Sequence, residues 1–207
     1  MDRVLLTTTA RAAADWAERA AVLRGLPLCT GRAADADGAR LVVADTGGPV
    51  PETVPRPVVL VPDGFSPTRR NDQVLLGVDA RRPVGSAVGF AFGCARLHGL
   101  RLHAVHAWTL PAEAADLPFG IPEEDRGAWE DQEVQLLADV LRPWRARYPE
   151  VDVVEDVLLF PPAEALLHHR AHGALLVVGH RSAAPGWGHV VRTVVRESPC
   201  PVAVVPE

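Results

Sequence analysis

Five short runs of aliphatic and β-branched residues alternate with stretches of helical spacing from residue 72 onward. They are Val74–Asp79 (VLLGVD), Arg101–Trp108 (RLHAVHAW), Val151–Leu159 (VDVVEDVLL), Leu175–Gly179 (LLVVG) and Pro201–Val205 (PVAVV). Runs of this length and composition read as strands, the most apolar of them covered on both faces. Between them, Pro83–His98 reads as a helix stopped by Gly99. Ala128–Arg147 reads as a second, with Trp129, Val134, Leu137, Leu141 and Trp144 on one stripe and Pro143 expected to kink or restart it. Pro162–His172 is a third, opened by proline and closed by Gly173, and His189–Glu197 a fourth. Pro111–Gly127 reads as a long surface loop, with Glu123, Glu124 and Asp125 as a solvated run. Alternating strands and helices make right-handed parallel βαβ units, so residues 72–207 are expected to form a doubly wound α/β sheet. Ligands of such sheets sit at the carboxyl ends of the strands, where the strand order reverses.

The first seventy residues echo the remainder. Arg3–Leu6 (RVLL) matches Gln73–Leu76 (QVLL), and Leu23–Leu28 (LRGLPL) matches Leu97–Leu102 (LHGLRL). Gly38–Ala44 (GARLVVA) matches Gly173–Gly179 (GALLVVG), and Pro55–Pro62 (PRPVVLVP) matches Pro199–Pro206 (PCPVAVVP). The matches fall in the same order, which reads as an internal repeat. The first copy, residues 1–70, is expected to keep the first, fourth and fifth strands with one helix and to lack the second and third strands. Residues 71–207 form the full copy.

Composition removes several functions. Every basic residue is arginine, so neither a P-loop lysine nor a Schiff-base lysine is available. The net charge is −5 with no basic patch, which argues against nucleic acid. Cys29, Cys94 and Cys200 are too widely spaced for a disulfide framework or a zinc pattern, and Cys94 falls in an apolar helical stretch. His168, His169 and His172 share a helix end but have no acidic or cysteine partner nearby, so no metal is expected there. His103 and His106 point to opposite faces of a strand. No membrane-length apolar run and no signal-peptide pattern occurs, and a cytoplasmic location is expected. There is no nucleophile elbow and no acid/base pair singled out by spacing.

VLLGVDARRPVGSAVGFAF, RLHAVHAW, PAEALLHHRAHGALLVVGHRS and VVRESPCPVAVV resemble successive blocks of a universal stress protein domain. The resemblance implies a Rossmann-like sheet in the order 3-2-1-4-5. It also implies antiparallel pairing of last strands, here Pro57–Val61 with Pro201–Val205. The chain would then be an intramolecular pseudo-dimer with a continuous sheet of about eight strands, since a three-stranded fragment needs a neighbour to bury its apolar surface. Members that bind ATP carry an Asp at the end of the first strand, a Val on the second, and a G-x2-G-x9-G-S/T loop after the fourth. Glycines there let backbone N–H groups approach phosphate, aided by the following helix N-terminus.

By that resemblance the cofactor-binding residues are Asp79, Val105, Gly179, Ser182, Gly188 and His189, with ATP or another adenine nucleotide as ligand of the second copy only. Ser182 replaces the second glycine, and five residues instead of nine separate it from Gly188. Such a loop cannot wrap a triphosphate in the same way; His189 and Arg181 are the remaining candidates for phosphate contacts. In the first copy Thr9 stands in place of the Asp, and no nucleotide is expected. Each feature has a plainer role as well: Asp79 as a turn or cap residue, and Gly186 and Gly188 as turning points around Trp187. The implied function is a stress-response or regulatory module acting through protein partners. The alternatives are a weak ATPase, or a nucleotide-independent scaffold in which Trp187 fills the ligand space.

Overall fold

The computed structural model describes residues 2–48, 55–67, 71–110, 123–168, 173–181 and 186–207. Nine strands occur among them: β1 Arg3–Leu6, β2 Leu28–Thr30, β3 Ala39–Asp45, β4 Val58–Val61, β5 Gln73–Gly77, β6 Arg101–Trp108, β7 Val153–Leu159, β8 Gly173–His180 and β9 Val202–Pro206. The helices are α1 Arg11–Arg24, α2 Gly85–His98, α3 Glu123–Arg147, α4 Pro162–His168 and α5 His189–Glu197. The strands form one sheet in the order β2-β1-β3-β4-β9-β8-β5-β6-β7. Read from β7 to β9, the last five strands have the predicted 3-2-1-4-5 order. All neighbours are parallel except β4 and β9, which run antiparallel with Val58 opposite Val204 and Leu60 opposite Val202.

Helices lie on both faces of this sheet, so its central strands are buried throughout. On one face α1, α2 and α3 cover a cluster that includes Trp16, Val74, Leu76, Phe92 and Leu141. On the other, α4 and α5 cover Leu75, Leu166, Leu176, Val194 and Val202. α1 shows why a short sequence pattern suffices: Ala13, Trp16, Ala17 and Ala20 recur at helical spacing and are all buried. Burying a side chain such as Phe92 stabilises by about 1.5–3 kcal/mol. Close packing of α2 on α3 depends on Gly89, where a Cβ would lie 2.5 Å from the Trp144 ring. Trp144 and Tyr148 both stack on Phe92, at 6.3 and 5.7 Å between ring centroids.

The structure corrects several expectations. The first seventy residues contribute four strands, not three, because β2 pairs with β1 as a short remnant of a second strand. The sheet therefore has nine strands among the described residues, not about eight. α3 begins at Glu123, inside the segment expected to be loop, and continues through Pro143. Gly127 does not interrupt it; a helical glycine costs only about 1 kcal/mol. Val134, expected on the buried stripe, is 45 % exposed. Gly173 is the first residue of β8, and a Cβ there would lie 3.0 Å from Cys200 Sγ. Residues 169–172 and 111–122 lie outside the described residues, and with them His169, His172 and most of the expected loop.

Candidate functional site

β5 is where the strand order reverses: the chain adds β6 and β7 on one side of it and β8 and β9 on the other. A cavity of about 480 Å³ opens at that point, over the carboxyl ends of β5, β6 and β8. Its walls come from Gly77 and Asp79 after β5, Val105 and Trp108 of β6, Leu166 of α4, Gly179 of β8 and Val190 of α5. Arg81, Arg82 and His106 form much of its polar rim.

Three of the six sequence-predicted residues, Asp79, Val105 and Gly179, meet in this wall. Ser182 lies outside the described residues. Gly188 and His189 are exposed at the start of α5, just before the wall residue Val190. The glycines here differ in what requires them. Gly179 is demanded by packing, because a Cβ there would fall 2.6 Å from Cβ of Val84. Gly77 likewise makes room for Leu166, whose Cδ1 would lie 2.8 Å from an added Cβ. Gly186 has φ +83°, a conformation that glycine adopts readily. Gly188 has neither reason: its φ is −63°, and none of the described residues lies within 4 Å of an added Cβ. It is the N-cap of α5, which has no side-chain cap.

Asp79 is a turn residue as well as a wall residue. Its Oδ1 accepts from the backbone N–H of Arg81 at 3.1 Å and of Arg82 at 3.3 Å. Its Oδ2 lies 3.4 Å from Nε of Arg82. Trp187 is 4 % exposed and packed into the apolar cluster beneath α4 and α5; it is not among the residues lining the cavity, contrary to the closed-site alternative.

Sequence reasoning missed a buried polar chain beside the rim. Glu133 of α3 is 1 % exposed and faces His106, which is 2 % exposed. Glu133 Oε2 lies 2.9 Å from His106 Nε2, and its other oxygen accepts from the Arg81 guanidinium. His106 Nδ1 meets the turn after β5, 3.1 Å from the Val78 carbonyl and 3.4 Å from the Ala80 nitrogen. One helix, one strand and one turn are thereby tied together at the cavity rim. On the opposite face of β6, His103 lies 3.5 Å from Asp156 of β7. Burial holds the His103 ring below its ordinary value of 6.5, against the pull of Asp156. The stripe Glu133, Leu137, Leu141 is spaced four residues apart, and that spacing is the signal that could have placed Glu133 on the buried face.

Comparison with known proteins agrees with this architecture. The family model described as "Universal stress protein family" matches residues 70–206. Universal stress protein Rv1996 of Mycobacterium tuberculosis is 36 % identical over 155 residues, covering 72 % of this chain and 48 % of the relative. Universal stress protein Rv2623 of the same organism is 33 % identical over 157 residues, 73 % of this chain and 51 % of the relative. The chain thus spans about half the length of these curated relatives. Among solved structures, a universal stress protein from Archaeoglobus fulgidus superposes with a TM-score of 0.57 at 16 % identity, over 94 % of this chain and 78 % of that one. The functionally unknown protein PA1789 from Pseudomonas aeruginosa gives a TM-score of 0.53 at 16 % identity, over 99 % of this chain and 81 % of that one. No described helix is long and apolar enough to cross a membrane. With a family model matched across the stretch that carries the cavity, and a sheet in the order that family implies, the chain belongs to the universal stress protein family.

Proposed function

We propose that the chain is a stress-response module that binds an adenine nucleotide in the cavity of residues 71–207 and nowhere in residues 1–70. The observation that carries this reading is the placement of the cavity. It stands at the carboxyl ends of β5, β6 and β8, where the strand order reverses, beside a helix that begins on a bare glycine. Gly188 answers no packing or backbone need among the described residues, whereas an N–H group approached closely by phosphate does call for glycine.

Residues 1–70 serve in this reading as a truncated copy that completes the sheet, an intramolecular pseudo-dimer. The recurrence of register supports it: Val4 opposes Leu28 and Leu41 as Val74 opposes Leu102 and Leu175. Isothermal titration with AMP and ATP, with and without magnesium, tests the nucleotide site. One saturable site per chain is expected; no heat and no thermal shift at millimolar nucleotide overturns it. One observation favours a nucleotide-independent scaffold acting through protein partners instead: the Asp79 carboxylate is already engaged by the turn it sits in. Under that reading Asp79→Ala lowers stability and changes no ligand affinity.

A further inference from the structure

The polar rim of the cavity has an imbalance between acceptors and donors. Among the described residues both carboxylates beside it are occupied: Asp79 by two backbone N–H groups and Arg82, Glu133 by His106 and Arg81. The donors are not. Among the described residues the Arg81 guanidinium meets Glu133 through Nη2, and its remaining N–H groups stay at the rim, with the side chain 57 % exposed. Across the cavity, α5 starts without a side-chain cap. A described rim whose carboxylates are filled and whose guanidinium keeps N–H groups to spare favours an anion.

We propose that Arg81 grips the anionic group of the ligand, a single phosphate ester, and that Glu133 and His106 are the positioning residues that hold its guanidinium at the rim. This rests on the reading of the cavity as a nucleotide site and names the residue that fixes the phosphate. A guanidinium matches phosphate through paired N–H groups, and it does so best when its own position is set in advance. Glu133 sets it, because a carboxylate 1 % exposed on α3 has no room to follow a mobile partner. His106 ties the same carboxylate to the backbone of the turn from which Arg81 projects. The stretch between Ser182 and Gly188, five residues where the ATP-binding pattern has nine, leaves less backbone for phosphate. A cation on the opposite wall compensates for one phosphate, not three, so AMP is expected to bind at least as tightly as ATP.

The test is isothermal titration of the full chain with AMP, ATP, adenosine and inorganic phosphate, on wild type, Arg81→Gln, Glu133→Gln and the double variant. Arg81→Gln should weaken AMP binding by about ten- to a hundredfold, as expected for a lost charged hydrogen bond, and leave adenosine unchanged. Glu133→Gln should weaken AMP by about fivefold in wild type and by nothing further in the Arg81→Gln background; a merely structural role would add in both. Should Glu133→Gln fail to fold, the more exposed Arg81→Gln carries the test. AMP binding that Arg81→Gln leaves intact overturns the role of Arg81 while keeping the nucleotide reading. Phosphate binding that Arg81→Gln abolishes, with no gain from the adenosine moiety, overturns the nucleotide reading and keeps Arg81. Binding of none of the four overturns both.

Discussion

Residues 3–61 and residues 73–206 build the same strand geometry with different helical cover. Each first strand slips register at its first residue, between Arg3 and Val4 and between Gln73 and Val74. α1 and α2 end identically, on Gly25 and Gly99 with φ 62° and ψ 33°. The leucine after each glycine donates back into the last turn, Leu26 to Ala21 at 3.0 Å and Leu100 to Ala95 at 2.9 Å. The two stretches differ in their remaining helices. α3, α4 and α5 belong to the second stretch, and they supply Glu133, Leu166 and Val190 to the cavity and its rim. The antiparallel join of β4 to β9 gives the smaller stretch a neighbour to bury against. Leu166 and Val190, which complete the cavity walls, come from α4 and α5, and residues 3–61 hold no counterpart of those two helices among the described residues.

The most forceful way to break this comparison is at the join. Leu60 of β4 is fully buried opposite Val202. Leu60→Ala should cost about 2–5 kcal/mol, read from urea unfolding. The loss should appear as one cooperative transition, the same by circular dichroism and by tryptophan fluorescence. Two separated transitions would mean that the stretches are independent bodies merely touching.

A smaller effect sharpens the contrast at the strand ends. The sequence match sets Ala44, 3 % exposed, against Gly179. Gly179→Ala gives the second stretch the residue of the first, but places a Cβ 2.6 Å from Val84. A loss of about 1–3 kcal/mol is expected, largely recovered by adding Val84→Ala. No loss would show that β8 can shift without cost, and that the glycine serves something other than packing. On the helix side of the join, Arg24 of α1 donates to Cys94 Sγ of α2 at 3.2 Å. Burial pushes the Cys94 thiol from 9.0 up to about 11, with Arg24 opposing it. The raised folded value means stability is complete below pH 9 and falls as pH climbs towards 11. Between pH 8 and pH 10 the loss should be on the order of 1 kcal/mol, and Cys94→Ala should remove it. Parallel pH curves for the two proteins would sink this assignment.

How much of this could be read from the chain depends on range. The strands were legible because apolar runs and flanking glycines are local signals. β2 was missed because only Leu28, Cys29 and Thr30 form it and two of them are exposed, although the match of Leu23–Leu28 with Leu97–Leu102 already contained it. Asp79, Val105 and Gly179 were legible because strand ends locate a cavity in this architecture. Arg81, His106 and Glu133 were not, since no spacing rule brings residues from a turn, a strand and a helix to one point. Hydrophobic pattern misled at α3: it assigned Val134 to the core, while the position four residues before Leu137 is a charged residue that burial tolerates because His106 and Arg81 complete it.

The finest test of the comparison uses two residues that the sequence match makes equivalent, Arg24 and His98, the last residues of α1 and α2. They act on each other across the join. His98 keeps an exposed edge, yet partial burial holds its ring below 6.5, reinforced by the charges of Arg24 and then Arg19. For a base with a lowered folded value, the unfolded chain takes up more protons just below pH 6.5. Stability is therefore complete above that value and declines as pH falls through the folded one. His98→Gln should flatten the acid limb of the stability curve, followed by thermal unfolding between pH 7 and pH 5. The effect should be the smallest of the four, because the ring is half in solvent. Arg24→Gln should weaken the same pH dependence from the other side of the join, through residues 70 and more positions apart in sequence. An acid limb insensitive to both changes would mean that the two helix ends share a shape but not an electrostatic contact, and that only the sheet couples the stretches.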